Sequence, residues 1–319
     1  MKGIVVDQFG GPEVLKYVDM PEPVAGPGEV LIEVKAIGVN PVETYFRAGM
    51  NPSIKPPFTP GTDAGGVIRK VGAGVTQLTE GMAVYTSGSR TGTYAEFAVV
   101  SARNAHLLHE SFGFQQAAAV NVPYATAYRA LFHRGNARSG ETVLIHGATG
   151  GVGLATVQFA RSAGLRVIAT GGTAQGRELV SQHGAHHVLD HRAPGYLEEV
   201  KSLTTGIGVN LIIEMLANVN LGKDLPLLAA QGRVVVVGSR GSVEINPRDL
   251  MTRDADIRAM SLWNLNVMEH RSIHAAIEGA IHTGIIKPVI GKVFSLKEAG
   301  KAHLAVMEPG AFGKIVLEP

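Results

Sequence analysis

The chain of 319 residues has no cysteine. That excludes disulfides, thiol nucleophiles and cysteine-ligated zinc together, while leaving the redox compartment open. Net charge is nearly absent too. Against 27 acidic residues stand 29 basic ones, giving +2 with histidine neutral, and they are scattered without long blocks. Nothing in that balance calls for nucleic acid or a membrane surface. No apolar run reaches the length of a membrane-spanning helix, and the N-terminal MKGIVVDQFGG lacks a long apolar core. Internal repeats and low-complexity segments are missing as well. These absences make a soluble cytoplasmic enzyme the default expectation.

What is present is glycine, 40 residues of it, in a chain that is 45% hydrophobic and long enough for two cores. That composition suits an α/β enzyme with many tight turns and argues against disorder. The glycines concentrate in Thr142-Val-Leu-Ile-His-Gly147-Ala-Thr-Gly150-Gly151-Val-Gly153, followed by an apolar, Ala-rich segment of helical period. A strand, a glycine turn and a helix in register make a dinucleotide site. Glycine lets the backbone approach a pyrophosphate, and the helix N-terminus offers unpaired N–H groups at its positive end. The spacing is GxxGxxG with an extra Gly151, and the alternative for glycines alone is an ordinary structural turn.

The first third reads as β-rich, with strand-like segments at 3–7, 29–37, 64–71, 82–85 and 94–100 and a Pro- and Gly-rich loop at 21–28. Helices are expected at 115–119 and 125–134. A repeating pattern follows, with strands at 142–146, 166–170, 187–189, 210–215, 233–237 and near 257–262, and helices at 152–163, 176–183, 195–203 and 220–230. Short apolar strands alternating with helices predict a mostly parallel, doubly wound sheet. A helix to 283, a strand-like 288–294 and a helix at 297–307 do not extend that pattern. The expected division is a β-rich domain over 1–124, rejoined by 267–319, and a dinucleotide domain over 125–266.

An NAD site places Asp or Glu about twenty residues past the first glycine, to hold the ribose 2′-hydroxyl. Here that place reads Ala169-Thr170-Gly171-Gly172-Thr173. Small residues leave room for a 2′-phosphate and no carboxylate repels it, while Arg177, His191 and Arg192 offer positive charge nearby. NADPH is therefore the expected cofactor. The alternatives are a solvated helix arginine for Arg177 and a loop histidine for His191.

Further segments are FGGPEVL (9–15), GVNPVETY (38–45), PGTDAGGVI (60–68), YAEF (94–97), VPYATAYRAL (122–131), IIEMLANVNL (212–221), VVVVGSRG (234–241) and EINPRDLM (244–251). With the glycine turn they resemble the zinc-free medium-chain dehydrogenases/reductases, specifically quinone oxidoreductases of the zeta-crystallin type, over nearly the whole chain. The resemblance implies a GroES-like β-rich catalytic domain, a Rossmann domain carrying NADPH, and a homodimer or homotetramer. Zinc-dependent relatives place Cys where this chain has Asn40, and a His-Glu pair where it has Thr62-Asp63; their four-cysteine lobe has no counterpart. Asn and Thr are poor zinc ligands, so no metal is expected. A quinone suits such a site, being electrophilic already and gaining aromaticity on reduction.

The resemblance names Asn40, Tyr45, Asp63 and Thr126 as catalytic candidates. Tyr45 and Thr126 would contact the nicotinamide end, and the Asn40 amide would donate to a developing oxyanion. As ordinary residues, Tyr45 is a half-buried edge tyrosine, Asn40 and Asp63 turn residues, and Thr126 a helix-start hydroxyl. Thr149, Gly150, Gly151 and Val152 would hold the pyrophosphate, and Gly172, Arg177 and His191 the 2′-phosphate. Asn220, Val237, Gly238, Ser239, Arg240, Met260, Ser261 and Leu262 lie where strand ends of such a sheet face the cofactor. Reduction of activated C=C bonds in enones or alkenals is an alternative with the same donor. A non-enzymatic crystallin-like or RNA-binding role is another, although a charge of +2 without a basic stripe gives little phosphate-binding signal. His183, His186, His187 and His191 lack the carboxylate pair that would make them a metal site.

Overall fold

The computed structural model describes residues 1–319 and divides into two units. Met1–Val122, Pro288–Pro309 and Gly313–Pro319 form the first; Pro123–Lys287 and Gly310–Phe312 form the second. In the first, β1 (Lys2–Val6) and β2 (Leu15–Asp19) make an antiparallel hairpin. Then come β3 (Glu29–Val39), α1 (Pro41–Arg47), β4 (Asp63–Val71), β5 (Ala83–Thr86), β6 (Phe97–Ser101), β7 (Ala105–Leu107) and α2 (Phe114–Ala117). The β3 strand is buried at residues 30–32, at Val34 and at residues 36–39 on both of its faces, as for a central strand, with its charges at Glu29, Glu33 and Lys35. It pairs antiparallel with β4 along its length and with β6 through Glu29 to Glu33.

The second unit takes in most of α3 (Asn121–Tyr128), which passes into a turn of π-helix at Arg129–Arg134. It continues with β8 (Thr142–Ile145), α4 (Gly151–Ser162), β9 (Arg166–Thr170), α5 (Ala174–Gln182), β10 (His187–Leu189), α6 (Tyr196–Leu203) and β11 (Val209–Glu214). After them come α7 (Ala217–Asp224), β12 (Leu228–Val236), α8 (Arg248–Met251), β13 (Asp256–Ala259) and α9 (Val267–His282). The strands are all parallel in the order β10-β9-β8-β11-β12-β13. That order reverses direction between β8 and β11, so the C-terminal ends of these two strands flank the switch point where such sheets bind ligands. Leu144, Ile168, Ile212 and Val234, one from each of four neighbouring strands, are wholly buried in the core.

The chain closes with β14 (Ile290–Ser295), α10 (Ala299–Ala305) and β15 (Lys314–Glu318), all in the first unit. β15 pairs antiparallel with the C-terminal end of β3, Ile315 opposite Val39 and Leu317 opposite Ile37. No helix is long and apolar enough to cross a membrane.

Several elements differ from the sequence reading. β2, β7 and β15 are short strands that alternation alone did not mark, because three to five residues are too few to show a period. The helix expected over 220–230 ends at Asp224, where Pro226 cannot continue it and β12 begins at Leu228. The boundary expected after 266 falls after Lys287, since α9 belongs to the second unit.

Leu317 has no exposed surface and packs with Val39, Ala64 and Ala302. Leu317→Ala is expected to cost about 2–5 kcal/mol, read as a lower urea midpoint. A midpoint equal to that of the parent would mean that the closing strand is dispensable to the core.

Candidate functional site

The register of three strands builds one polar cluster in the first unit. Gly38 of β3 lies opposite Asp63, the first residue of β4, and Val39 lies opposite Ile315. Asn40, Asp63 and Lys314 are thereby brought together at strand ends, with 2%, 0% and 5% exposure. The Lys314 ammonium donates to Asp63 Oδ2 at 3.1 Å and to Asn40 Oδ1. The Asn40 amide donates to Asp63 Oδ2 at 3.0 Å and to Glu43 Oε1 at 3.2 Å. Asp63 Oδ1 accepts from the Asn121 amide at 2.9 Å and from Val122 N–H at 3.2 Å.

The cluster extends inward from α1. Pro41 starts that helix and Glu43, at its third position, reaches back to the Asn40 N–H at 2.8 Å. Glu43 also accepts from the Tyr94 hydroxyl at 2.8 Å. Tyr94 meets His303 Nε2 at 3.0 Å, and His303 Nδ1 meets Arg47 at 3.1 Å. Burial pushes the Glu43 carboxyl up to about 7, against the pull of Lys314 and the Asn40 N–H. Burial, aided by Arg47, drops His303 to about 3, so its ring is neutral.

This arrangement corrects two expectations. Asn40 has both amide hydrogens and its carbonyl committed inside the protein, so it has no donor left for a substrate oxyanion. Asp63 is wholly buried and ion-paired. Both are framework for α1 and for the start of α3. The Tyr45 side chain is different: it is half-buried and its hydroxyl makes no hydrogen bond within the protein. Thr126, on α3 in the second unit, is 6% exposed. Lys314, Glu43, Tyr94, His303 and Asn121 escaped the sequence reading. Only Glu43 left a local signal, the Asn-x-x-Glu spacing of a helix start.

In the second unit the glycine turn joins β8 to α4. Gly147 has φ +58°, open to glycine at no steric cost. A Cβ on Gly153 would lie 2.5 Å from Ala148 Cα and from Gly147 O, so the helix packs on the turn only with hydrogen there. Gly150 caps α4 with no side chain accepting from the first turn. The N–H groups at the N-terminus of this twelve-residue helix are therefore directed outward, unpaired, at its positive end. Gly147, Thr149, Gly150, Gly151 and Val152 make a cradle for a phosphate-bearing group.

At the end of β9, a Cβ on Gly172 would lie 2.9 Å from both His191 Nε2 and Arg192 Nε. The two side chains thus converge over a residue that has none. His191 and Arg192 are exposed, and desolvation together with Arg192 holds the His191 imidazole below its ordinary value. Arg177 behaves otherwise than expected: it pairs with Asp190 at 2.8 Å and donates to Gly171 O at 3.3 Å. The Arg192 guanidinium, over Gly172, forms no ion pair with a carboxylate. Of the four histidines weighed as a metal set, His183 bonds Leu179 O, His186 contacts Arg161 and His187 contacts Arg166.

The remaining candidates sit at the same edge of the sheet. The Asn220 amide donates to Glu214 Oε1 at 3.2 Å. Val237 N–H and Gly238 N–H reach Glu214 O at 2.8 and 3.3 Å, and Arg240 N–H reaches Asn218 Oδ1 at 2.8 Å. Ser239 bonds Gly241 O at 2.9 Å. Met260 N–H continues the β12–β13 ladder to Val236 O at 3.1 Å, and Ser261 O accepts from Arg129 in the π-turn just before Leu262 opens a 3-10 turn. The turns after β8, β11, β12 and β13 therefore line one edge.

The model of the zinc-binding dehydrogenase family matches residues 151–278, and that of the alcohol dehydrogenase GroES-like domain matches residues 26–110. The quinone oxidoreductase of Homo sapiens is 46% identical over 321 residues, covering 99% of this chain and 97% of that protein. The chain belongs to the zinc-free quinone oxidoreductase family of medium-chain dehydrogenases/reductases. Its fold is that family's GroES-like and Rossmann pair. Escherichia coli quinone oxidoreductase complexed with NADPH is 29% identical with a TM-score of 0.89, each chain covered in full. Mycobacterial Rv1454c complexed with NADPH is 32% identical with a TM-score of 0.91, again over 100% of both chains.

The first family model carries zinc in its description, and the residues here do not fit that ion. Asn40 and Asp63, at positions that hold metal in zinc-dependent relatives, already share the Lys314 ammonium. A second cation would have to displace it.

Lys314→Met would leave the Asp63 carboxylate buried and unpaired, at an expected cost of about 3–5 kcal/mol. Pairing it with Asp63→Asn should recover most of that loss in chemical denaturation; a double variant no more stable than the single one would refute the ion-pair account. Glu43 makes the first unit pH-sensitive. Its folded value of about 7 lies above the ordinary 4.5, so the stabilisation is complete below about 4.5 and is lost as pH rises through 7. Between pH 6 and 8.5 the unfolding temperature of the parent should drop more than that of Glu43→Gln; parallel curves would show that Glu43 is not the titrating group.

Proposed function

We propose that this protein is an NADPH-dependent quinone oxidoreductase working without a metal. The observation that carries the cofactor assignment is the pair of features on one sheet edge: the uncapped α4 N-terminus and the convergence of His191 and Arg192 over Gly172. An uncapped helix start suits a pyrophosphate, and a guanidinium beside an imidazole over a bare glycine suits a 2′-phosphate. Relatives named quinone oxidoreductase, at 46% identity over almost the full length, support quinone as the acceptor. Bound there, NADPH would supply the reducing equivalents that a quinone accepts without a Lewis acid.

The protein's own tasks are binding and orientation. Thr149, Gly150, Gly151 and Val152 hold the pyrophosphate, while Gly172, His191 and Arg192 hold the 2′-phosphate. Asn220, Val237 to Arg240, and Met260 to Leu262 border the remainder of the cofactor. Tyr45, in the first unit, keeps an uncommitted hydroxyl for a substrate oxygen, and Thr126, in the second, is assigned to the nicotinamide end of the cofactor. A cytoplasmic homodimer or homotetramer with a small electrophilic acceptor as its partner completes the reading.

Two measurements test it. Replacing Arg192 by Ala removes a charge-assisted contact worth about 1.5–3 kcal/mol. NADPH affinity should fall about tenfold or more, with NADH affinity little changed; equal losses for the two would refute the phosphate assignment. With NADPH oxidation followed, ortho- and para-quinones should be turned over in preference to enones and alkenals, and Tyr45→Phe should lower kcat/KM. Turnover confined to enones would overturn the choice of acceptor.

A further inference from the structure

Beneath the glycine turn lies a second buried polar cluster that the proposed chemistry does not use. His146 is the residue between β8 and Gly147, Glu214 ends β11, and Asp224 ends α7. They are 3%, 0% and 0% exposed, and one ring nitrogen or carboxylate oxygen from each lies within 4.8 Å of the others. His146 Nε2 is 2.8 Å from Asp224 Oδ1 and 3.7 Å from Glu214 Oε2. Glu214 Oε1 accepts from Leu216 N–H and from the Asn220 amide. Glu214 Oε2 and Asp224 Oδ2 have no donor at all.

Two carboxylate oxygens buried without a donor are costly, and two carboxylates beside one imidazolium leave a net negative charge away from water. A proton on one carboxyl, donated to the other, removes both defects at once. It leaves a neutral acid beside a His146–Asp224 ion pair. The other charged or titratable groups facing the cluster are few: the Tyr196 hydroxyl on α6 toward Asp224 and Glu214, and His191 after β10 toward His146. Neither is a strong cation that could take over the neutralising role.

We propose that His146, Glu214 and Asp224 are positioning residues that hold a shared proton behind the cofactor cradle, so that NADPH binds more weakly once that proton is lost. When it leaves, an uncompensated negative charge sits beside Gly147 to Gly150, facing the phosphates, and Glu214 can no longer hold the 214–220 turn in the same balance of charge. Burial raises the Glu214 carboxyl to about 7, and Asp224 with Glu214 raises His146 above its ordinary value despite burial. Both groups therefore favour the proton-bound state below neutrality and lose it as pH rises. By linkage, NADPH binding near pH 7 must draw protons in.

This inference rests on the reading that the turn binds NADPH, and calorimetry separates the two. Titration of NADPH into the protein, in buffers of differing ionisation enthalpy, gives affinity and proton uptake together. In the parent, affinity should fall about fivefold or more between pH 6 and pH 8.5, with net uptake of protons near pH 7. Glu214→Gln offers an amide hydrogen to Asp224 where the carboxyl offered its proton. It should bind as the parent does at pH 6, hold that affinity to pH 8.5, and take up fewer protons. His191→Ala, which removes the other titrating group near the phosphates, should keep the Glu214-dependent part of the uptake. Identical pH profiles in parent and Glu214→Gln would overturn the proposal, as would a stoichiometric divalent ion in purified protein by elemental analysis. Should Glu214→Gln fail to fold, absence of proton uptake in both the parent and His191→Ala would overturn it alone. No NADPH binding at any pH would instead sink the cofactor reading.

Discussion

The ammonium of Lys314 carries the first unit's most constrained contact, because its position is set by the register of the last strand on β3 and it in turn holds Asn40 and Asp63. Strand pairing brings these residues together at no cost beyond the sheet itself. The ion pair then fixes where β3 gives way to α1, and hence where Tyr45 emerges two residues after Glu43. Buried pairs of this kind are weak evidence for extra stability, since desolvation offsets the attraction. Their effect is on geometry, for a carboxylate without its cation cannot remain in place.

The second unit uses the same economy differently. Its parallel sheet gathers the ends of β8, β11, β12 and β13 at one edge, and the reversal of strand order opens a site between the first two. Glycine keeps that edge clear of side chains at Gly147, Gly153 and Gly172. The uncapped helix start supplies donors without any charged residue near the pyrophosphate. At the end of β9 the His191 imidazole and the Arg192 guanidinium converge over Gly172, which has no side chain of its own.

Taken together, the clusters show how a chain with the zinc-dehydrogenase architecture is built without the metal. A lysine from the C-terminal strand supplies the cation that Asn40 and Asp63 share. Polar groups that resemble catalytic residues in sequence are thereby turned into framework. Tyr45, whose hydroxyl stays uncommitted, is not part of that framework.

Local pattern determined a good deal of this protein. The apolar runs, the glycine spacing and the small residues at 169–173 were enough for a Rossmann unit, for NADPH and for the missing cysteine ligands, because each depends on neighbours within a few residues. The short strands β2, β7 and β15 were not legible, since three to five residues carry no period without a partner to pair with. Nor was the fate of individual polar side chains. Arg177 and Arg192 look interchangeable in sequence, and only the folded loop gives Asp190 to one and Gly172 to the other. Asn40 reads as a free amide until a lysine 274 positions away in the chain takes its carbonyl. Hydrogen-bond satisfaction is a property of three-dimensional neighbours, so the tertiary structure alone decided which candidates remain free to act.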